Sequence, residues 1–308
     1  MSAKWTICPF KVKWSEVIEK GGAYLAGKSV PDAAVAAELL AARLLKAGRG
    51  SLHSFYDREA GECQLEAMRR GMARLVKGEP VQYILGEWDF RTLTLKCDRR
   101  ALIPRPETEE LVTRVLKYLA RGGKDSAATT AAAGIAPPLT VVDVGTGTGA
   151  IILSIAKEFD GEALLVGTDI SEAAIQLAKE NAAKTGLEGL VNFAVADGLE
   201  DFDEPQCVDV IVSNPPYVTS AEWETLDTRV KDFEPRLALD GGANGLDFYE
   251  RYLMDALNLL KPGGAVFFEI GEDQGEALAE MMKTYGFSEI SIEKDFSGHD
   301  RYASAVLI

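Results

Sequence analysis

From Leu139 to Ile308, short apolar runs alternate with stretches of helical period, and this limits the fold more than any other feature. Strands are expected near 139–144, 163–168, 191–196, 208–213 and 264–270, and helices near 149–159, 171–184, 247–261 and 273–285. A run such as Val208-Asp209-Val210-Ile211-Val212-Ser213 is too short for a helix and rich in Val and Ile, as in strands covered on both faces. Strands joined through helices make a mostly parallel, doubly wound α/β sheet. Two further strand-like runs near 287–292 and 303–308 have no helix between them, so an antiparallel hairpin is expected at one edge of a seven-stranded sheet.

The chain before this region has a different pattern. Residues 12–78 look helical, with Ala33–Lys46 started by Pro31-Asp32 and Glu62–Val76 following Gly61. Val81-Gln82-Tyr83-Ile84-Leu85 and Leu93-Thr94-Leu95 flank Gly86-Glu87-Trp88-Asp89-Phe90 and are expected to pair as a β-hairpin. The expected organisation is a helical substrate-recognition domain over 1–80, a hairpin linker over 81–100, and a catalytic domain over 101–308. A helix is expected from Pro106 to about Arg121, with Glu107, Glu109 and Glu110 complementing its amino end. Residues 122–138 are rich in Gly, Ala, Thr and Ser, end in Pro137-Pro138, and are expected to be a flexible insertion.

Composition narrows the chemistry. The 308 residues suffice for two domains, one with a full core. Cys8, Cys63, Cys97 and Cys207 are scattered, and only His53 and His299 are present, so no disulfide framework and no metal site is expected. Met1 to Phe10 has no long apolar stretch and no later run reaches membrane-spanning length, so the expected location is the cytoplasm. Residues 1–80 carry 13 Lys and Arg against 9 Asp and Glu, a surplus of four positive charges. The chain as a whole is at −15, which leaves −19 on the remainder. An acidic catalytic half is a poor match for a phosphate backbone, so direct nucleic-acid binding is not expected.

Two loops carry the chemistry. Gly145-Thr146-Gly147-Thr148-Gly149 stands between a buried strand and the apolar helix start Ala150-Ile151-Ile152-Leu153. Glycines allow a sharp turn and close approach to a ligand. Three details favour S-adenosylmethionine over a dinucleotide: the G-x-G-x-G spacing, the acid Asp143 before it, and the acids closing the next two strands. Asp169 lies about twenty residues on, as expected of an acid that binds ribose, and Asp197-Gly198 is placed to meet an adenine amino group. Taken singly, Asp169 could belong to a helix N-cap and Asp197 to a turn. The second loop is Asn214-Pro215-Pro216-Tyr217. Its prolines end the strand and stiffen the loop, leaving an amide, outward carbonyls and an aromatic face to grip a planar group with N–H donors.

The chain resembles the HemK/PrmC family of class I methyltransferases, which modify the glutamine of the Gly-Gly-Gln motif in peptide-chain release factors. The resemblance rests on both loops and on Glu79–Gly86, Leu102–Glu109, Phe233–Leu239, Asn244–Asp247, Glu269–Gly271 and Asp295–Arg301, over roughly 79–308. It implies methyl transfer from S-adenosylmethionine, leaving S-adenosylhomocysteine, to the glutamine N5 of class 1 release factors. Asn214 and the Pro215 carbonyl would hold the two amide hydrogens, and Tyr217 would pack against the amide beside Pro216. Gly145, Thr146, Gly147, Thr148, Gly149, Asp169, Asp197, Gly198, Asn214 and Phe90 would bind the cofactor. Phe90 and Ile103–Thr108 would wall the cofactor pocket, though each could instead be interdomain packing, and Tyr217 could be a core-facing ring. Glu234 and Arg236 could pair with each other or touch substrate, and His299 is read as structural. The chain departs from relatives at Gly198, where a bulky residue is common. Competing readings are adenine N6 methylation on nucleic acid, methylation of a ribosomal-protein glutamine, and a non-catalytic cofactor-binding scaffold.

Overall fold

The computed structural model describes residues 12–130 and 138–308. It divides into two compact units, one ending at Gly86 and the other starting at Glu87. The first is helical: α1 Trp14–Ala26, α2 Ala33–Leu45, α3 Glu62–Val76 and the short α4 Val81–Leu85, with a 3-10 turn over Arg49–Phe55. Its buried side chains include Trp14, Leu25, Leu40, Met68 and Leu75, which recur at helical spacing.

Val81–Leu85 is a helix, not the strand its Val, Tyr and Ile suggest. Pro80 stands at its amino end and Gly86 closes it with a φ of 75°. These two stops bracket a segment too short to display a helical period. The expected pairing of 81–85 with 93–95 therefore does not form: β2 Leu93–Lys96 pairs antiparallel with β1 Glu87–Phe90, a segment expected as the connecting turn, and Phe90 stands opposite Leu93.

The second unit continues with α5 Pro106–Thr130, β3 Leu139–Val144, α6 Ala150–Glu158, β4 Ala163–Asp169, α7 Glu172–Thr185, β5 Val191–Val195 and β6 Val208–Ser213. Then come α8 Ser220–Thr225, α9 Thr228–Lys231, α10 Asp247–Leu259, β7 Leu260–Glu269, α11 Gly275–Thr284, β8 Phe287–Lys294 and β9 Asp300–Leu307. Helix α5 runs on through Thr130, so the first part of the expected insertion is helical; residues 131–137 lie outside the described residues.

Seven strands form one sheet in the order β5-β4-β3-β6-β7-β9-β8. The first five are parallel, and β9 and β8 add an antiparallel edge, as the terminal pair of runs suggests. Alternate residues of β3 face opposite apolar layers. Val141 joins Phe90, Leu93, Leu111, Val115 and Ile152 on one face; Val142 joins Tyr249, Leu253, Leu278 and Met282 on the other. Each fully buried side chain of this kind contributes roughly 1.5–3 kcal/mol.

The chain runs from β3 outward to β4 and β5, then returns to place β6 on the other side of β3. Val144 therefore has Thr168 as its partner on one side and Ser213 on the other. The connections leaving β3 and β6 diverge over opposite faces, which opens a crevice at the carboxyl edge of the sheet.

Candidate functional site

A cavity of ≈ 370 Å³ opens at this carboxyl edge. It is lined by Gly145, Thr146, Gly147, Thr148, Asp169, Asp197, Gly198, Asn214 and Pro216, so the two chemistry-bearing loops and both strand-end acids converge there. Gly149, Pro215, Tyr217 and Phe90 are not among its lining residues. Phe90 is 1% exposed and packs in the apolar layer with Leu93 and Leu111, which corrects its assignment to the cavity wall. An aromatic at the hairpin turn is drawn into the core by the area it buries.

The glycine loop is held from below and from the side. Gly145, Gly147 and Gly149 have φ of 72°, 55° and 81°, a conformation that costs a side-chain-bearing residue strain. Beneath it, the Thr146 hydroxyl donates to Asp143 Oδ2 at 2.6 Å. Asp143 is fully buried, and burial pushes its carboxyl up to about 7. At the side, Asp169 Oδ2 accepts from the Gly147 N–H and Oδ1 from the Ser171 N–H, both at 2.9 Å. Burial pushes the Asp169 carboxyl above its ordinary value, opposed by these two N–H donors. The N-cap of α7 is Ser171 itself, whose Oγ accepts from Ala174 N. Asp169 is thus a buttress of the loop that also lines the cavity.

At the next strand end, Asp197 Oδ1 accepts from Arg251 Nη1 at 2.7 Å, and Arg251 also donates to the Asp197 carbonyl. Gly198 has a φ of 73°, and a Cβ there would come within 3.1 Å of Arg251 Nη2 and Tyr252 Cε1. Helix α10 therefore fills the space that a side chain at Gly198 would take. Arg251, Tyr252 and Phe248 wall this end of the cavity, a contribution from α10 that no motif signals.

Asn214 follows β6 directly, and its Nδ2 donates to Thr108 Oγ1 at 3.2 Å. Thr108, in the first turn of α5, donates in turn to Glu269 Oε2 at 2.7 Å. Pro215 is buried and Pro216 lines the cavity. Tyr217 is half-buried against the α10–α11 layer, and burial pushes its phenol up to about 12. Behind the loop, Val218 and Gly241 exchange backbone bonds with their neighbours: Val218 N donates to Leu239 O, and Gly241 N to Val218 O at 2.8 Å. Only a glycine fits at 241, since a Cβ would lie 2.5 Å from the Pro216 carbonyl oxygen and 2.8 Å from Tyr217 Cα.

Glu234 does not pair with Arg236. It is 5% exposed and accepts from Arg105 Nη2 at 2.6 Å and from the Ile103 N–H at 3.2 Å. Arg236 binds Asp240 instead. The Ile103–Thr108 segment, which supplies cavity wall through Ile103, Pro104, Arg105 and Thr108, is thereby tied to the Phe233–Leu239 segment. His299 is half-exposed and lies 2.9 Å from Glu272, away from the cavity.

Among the described residues that line the cavity there is no His, Cys, Lys or Glu. The site holds no obvious strong base or nucleophile. It offers a backbone cradle, carboxylates at two strand ends, an amide at a third, and apolar wall between them. That set can seat a nucleoside-like ligand and align a second, planar group beside it.

Comparison with known proteins agrees with this geometry. Residues 135–294 match a family described as a methyltransferase domain, and residues 16–86 match one described as the PrmC N-terminal domain. A release factor glutamine methyltransferase of Enterococcus faecalis is 39% identical over 78% of this chain and 80% of that relative. One from Chlorobaculum tepidum is 34% identical over 97% of this chain and 99% of its own length, and one from Geobacter sulfurreducens 36% over 96% and 95%. A solved structure described as the hMettl16 catalytic domain in complex with MAT2A 3'UTR hairpin 6 superposes with a TM-score of 0.54. It is 17% identical, covering 77% of this chain and 81% of that one, which speaks to the fold alone.

Proposed function

This chain belongs to the release factor glutamine methyltransferase family, and we propose that it transfers a methyl group from S-adenosylmethionine to the N5 side-chain amide of the Gly-Gly-Gln glutamine in class 1 release factors. The observation that carries the reading is the placement of Asn214 on the same cavity as the glycine loop, at the ends of paired strands β6 and β3.

The residues fit the cofactor. The positive-φ glycine cradle lets backbone approach a ligand closely, and Asp169 borders the cavity with a carboxylate suited to hydroxyl donors. Asp197 takes part at the adenine end through its bond to Arg251, with Tyr252 and Phe248 as the apolar wall in place of a bulky residue at 198. When bound, S-adenosylmethionine supplies an activated methyl group on a sulfonium.

The protein's own task is alignment. A glutamine amide nitrogen is a weak nucleophile because its lone pair is delocalised. Asn214 Oδ1 accepts one of its N–H bonds and the Pro215 carbonyl accepts the other, which fixes the amide plane. Pro215 and Pro216 give the loop its stiffness, and Tyr217 anchors it against the α10–α11 layer. Holding the reacting groups in line replaces the strong base that the cavity lacks, and the proton leaves to solvent after transfer. The net −19 on residues beyond position 80 favours a protein acceptor over a phosphate backbone.

The test is transfer of labelled methyl from S-adenosylmethionine to purified class 1 release factor, beside a factor carrying Gln→Ala in its Gly-Gly-Gln loop. Label on the normal factor only supports the proposal. Label on neither, with folded proteins and bound cofactor verified, refutes it.

A further inference from the structure

The buried carboxylate of Glu269 has no place in the transfer just described, yet it sits at the end of a directional chain that reaches Asn214. Glu269 closes β7 and is 2% exposed; Thr108 is 5% exposed. The links are Asn214 Nδ2 to Thr108 Oγ1 at 3.2 Å and Thr108 Oγ1 to Glu269 Oε2 at 2.7 Å. An ionised carboxylate can only accept, and a threonine hydroxyl has one hydrogen to give. With that hydrogen committed to Glu269, Thr108 can only accept from Asn214. The Asn214 amide is then fixed with its NH2 toward Thr108 and its Oδ1 turned the other way. The reversed amide would bring Oδ1 against a hydroxyl oxygen with no hydrogen to offer, an unmade bond at a buried group.

We propose that Thr108 and Glu269 are positioning residues that fix the orientation of the Asn214 amide, so that the site presents an acceptor oxygen and selects an N–H-bearing glutamine over the isosteric glutamate. The proposal rests on Asn214 gripping the acceptor amide. It extends that reading to the device that decides which end of Asn214 the acceptor meets. A glutamate side chain in the same place has no N–H for Oδ1 and meets its lone pairs instead, which disfavours it.

The surroundings of Glu269 suit this role. Arg301, on β9, spends its Nη1 on the Ile270 carbonyl and its Nε on Asp295. Arg105, before α5, is engaged by Glu234, and Glu107 shares the first turn of α5 with Thr108. Tyr249, from α10, donates to the Glu269 backbone carbonyl rather than to its carboxylate. The phenols of Tyr217 and Tyr302 are also nearby; Tyr302 is the cross-strand partner of Glu269 on β9 and donates its hydroxyl to the Glu107 carbonyl. Among the described residues, the bond that uses the Glu269 side chain is the one from Thr108.

The experiment compares wild type with Thr108→Val, Thr108→Ser and Glu269→Gln. Read-outs are kcat and KM for release factor, S-adenosylhomocysteine affinity by calorimetry, melting temperature, and inhibition by release factor carrying Gln→Glu. Val keeps the shape and removes the hydroxyl; Ser keeps the hydroxyl; Gln at 269 can donate to Thr108 and free its hydrogen for Asn214 Oδ1. The expected result is a fall in kcat of about 10- to 100-fold for Val and Gln. Ser should stay near wild type, cofactor affinity should be unchanged, and the glutamate-bearing factor should inhibit Glu269→Gln more strongly than wild type. Wild-type kcat in Thr108→Val, a Ser variant as impaired as Val, or an unchanged preference between the two factors would overturn it. Asn214→Ala separates the two readings. If that variant is inactive while Thr108→Val is not, the relay fails and the grip stands; if wild type itself transfers nothing, both fall.

Discussion

Asn214 and Asp169 border one cavity from neighbouring parts of the sheet edge, and the account gives them separable tasks. Asn214→Ala should lower kcat by about 100- to 1000-fold and leave S-adenosylhomocysteine affinity within a few-fold. Asp169→Ala should show the opposite balance: affinity measured by calorimetry should fall about 10- to 100-fold, because a charged acceptor and the Gly147 bond are both lost. An Asn214→Ala enzyme that loses cofactor as badly as turnover would count against the division. Glu269 adds a pH dependence. Burial pushes its carboxyl up to about 7, opposed by the Thr108 bond and by Arg301. As pH falls through about 7 the group takes a proton, Thr108 loses its fixed acceptor, and kcat should drop; in Glu269→Gln that inflection should be absent. The stability sign runs the other way. The folded chain holds a proton that the unfolded chain releases at its ordinary carboxylate value, so this group favours folding at low pH and loses that contribution as pH rises through about 7. Glu269→Gln should therefore melt at or above the wild-type temperature at pH 8. On sequence grounds Glu269 has no site role and Thr108 figures only in the Ile103–Thr108 pocket wall, because the bonds that link them to each other and to Asn214 span 161 and 106 residues. A local string signals its own turn, not a partner that distant.

Elements differ in how far their sequence betrays them. The strands of the parallel sheet are legible because burial on both faces leaves near-continuous Val and Ile runs, as in Val208–Ser213. Helix α4 is not, because Val81–Leu85 is too short for periodicity and its residue types favour strands. Helix α10 is legible as a helix over Asp247–Leu259, yet nothing local shows that its Arg251 binds Asp197 or that Tyr252 occupies the space beside Gly198. The connection after β6 shows how a residue behind the acceptor loop can matter. Gly241 abuts the Pro216 carbonyl, so Gly241→Ala must move the Asn214–Tyr217 loop or its own segment. The expected cost is about 1–3 kcal/mol in chemical denaturation. Turnover should fall with it while cofactor affinity holds; wild-type stability together with wild-type turnover would show that the loop tolerates displacement.

At the scale of the whole molecule, the two loops are strings of five and four residues, and each is readable alone. What the sheet order adds is their meeting: β3 and β6 are hydrogen-bonded neighbours although β4 and β5 intervene in sequence. The reversal of winding at that point makes the crevice, and the strand-end acids follow from the same topology. The acidic balance beyond residue 80 fits the same reading, since it disfavours nucleic acid as the acceptor. Among the described residues no helix is long and apolar enough to cross a membrane. The claim on which the rest depends is that the methyl group ends on a glutamine side-chain nitrogen of a release factor. Tandem mass spectrometry of the peptide spanning the Gly-Gly-Gln loop, after incubation of the factor with enzyme and S-adenosylmethionine, tests it most directly. The account predicts one added methyl on the glutamine side chain, absent when Asn214→Ala replaces wild type. A methyl on any other residue, or an unmodified peptide after incubation with active, cofactor-loaded enzyme, would contradict it.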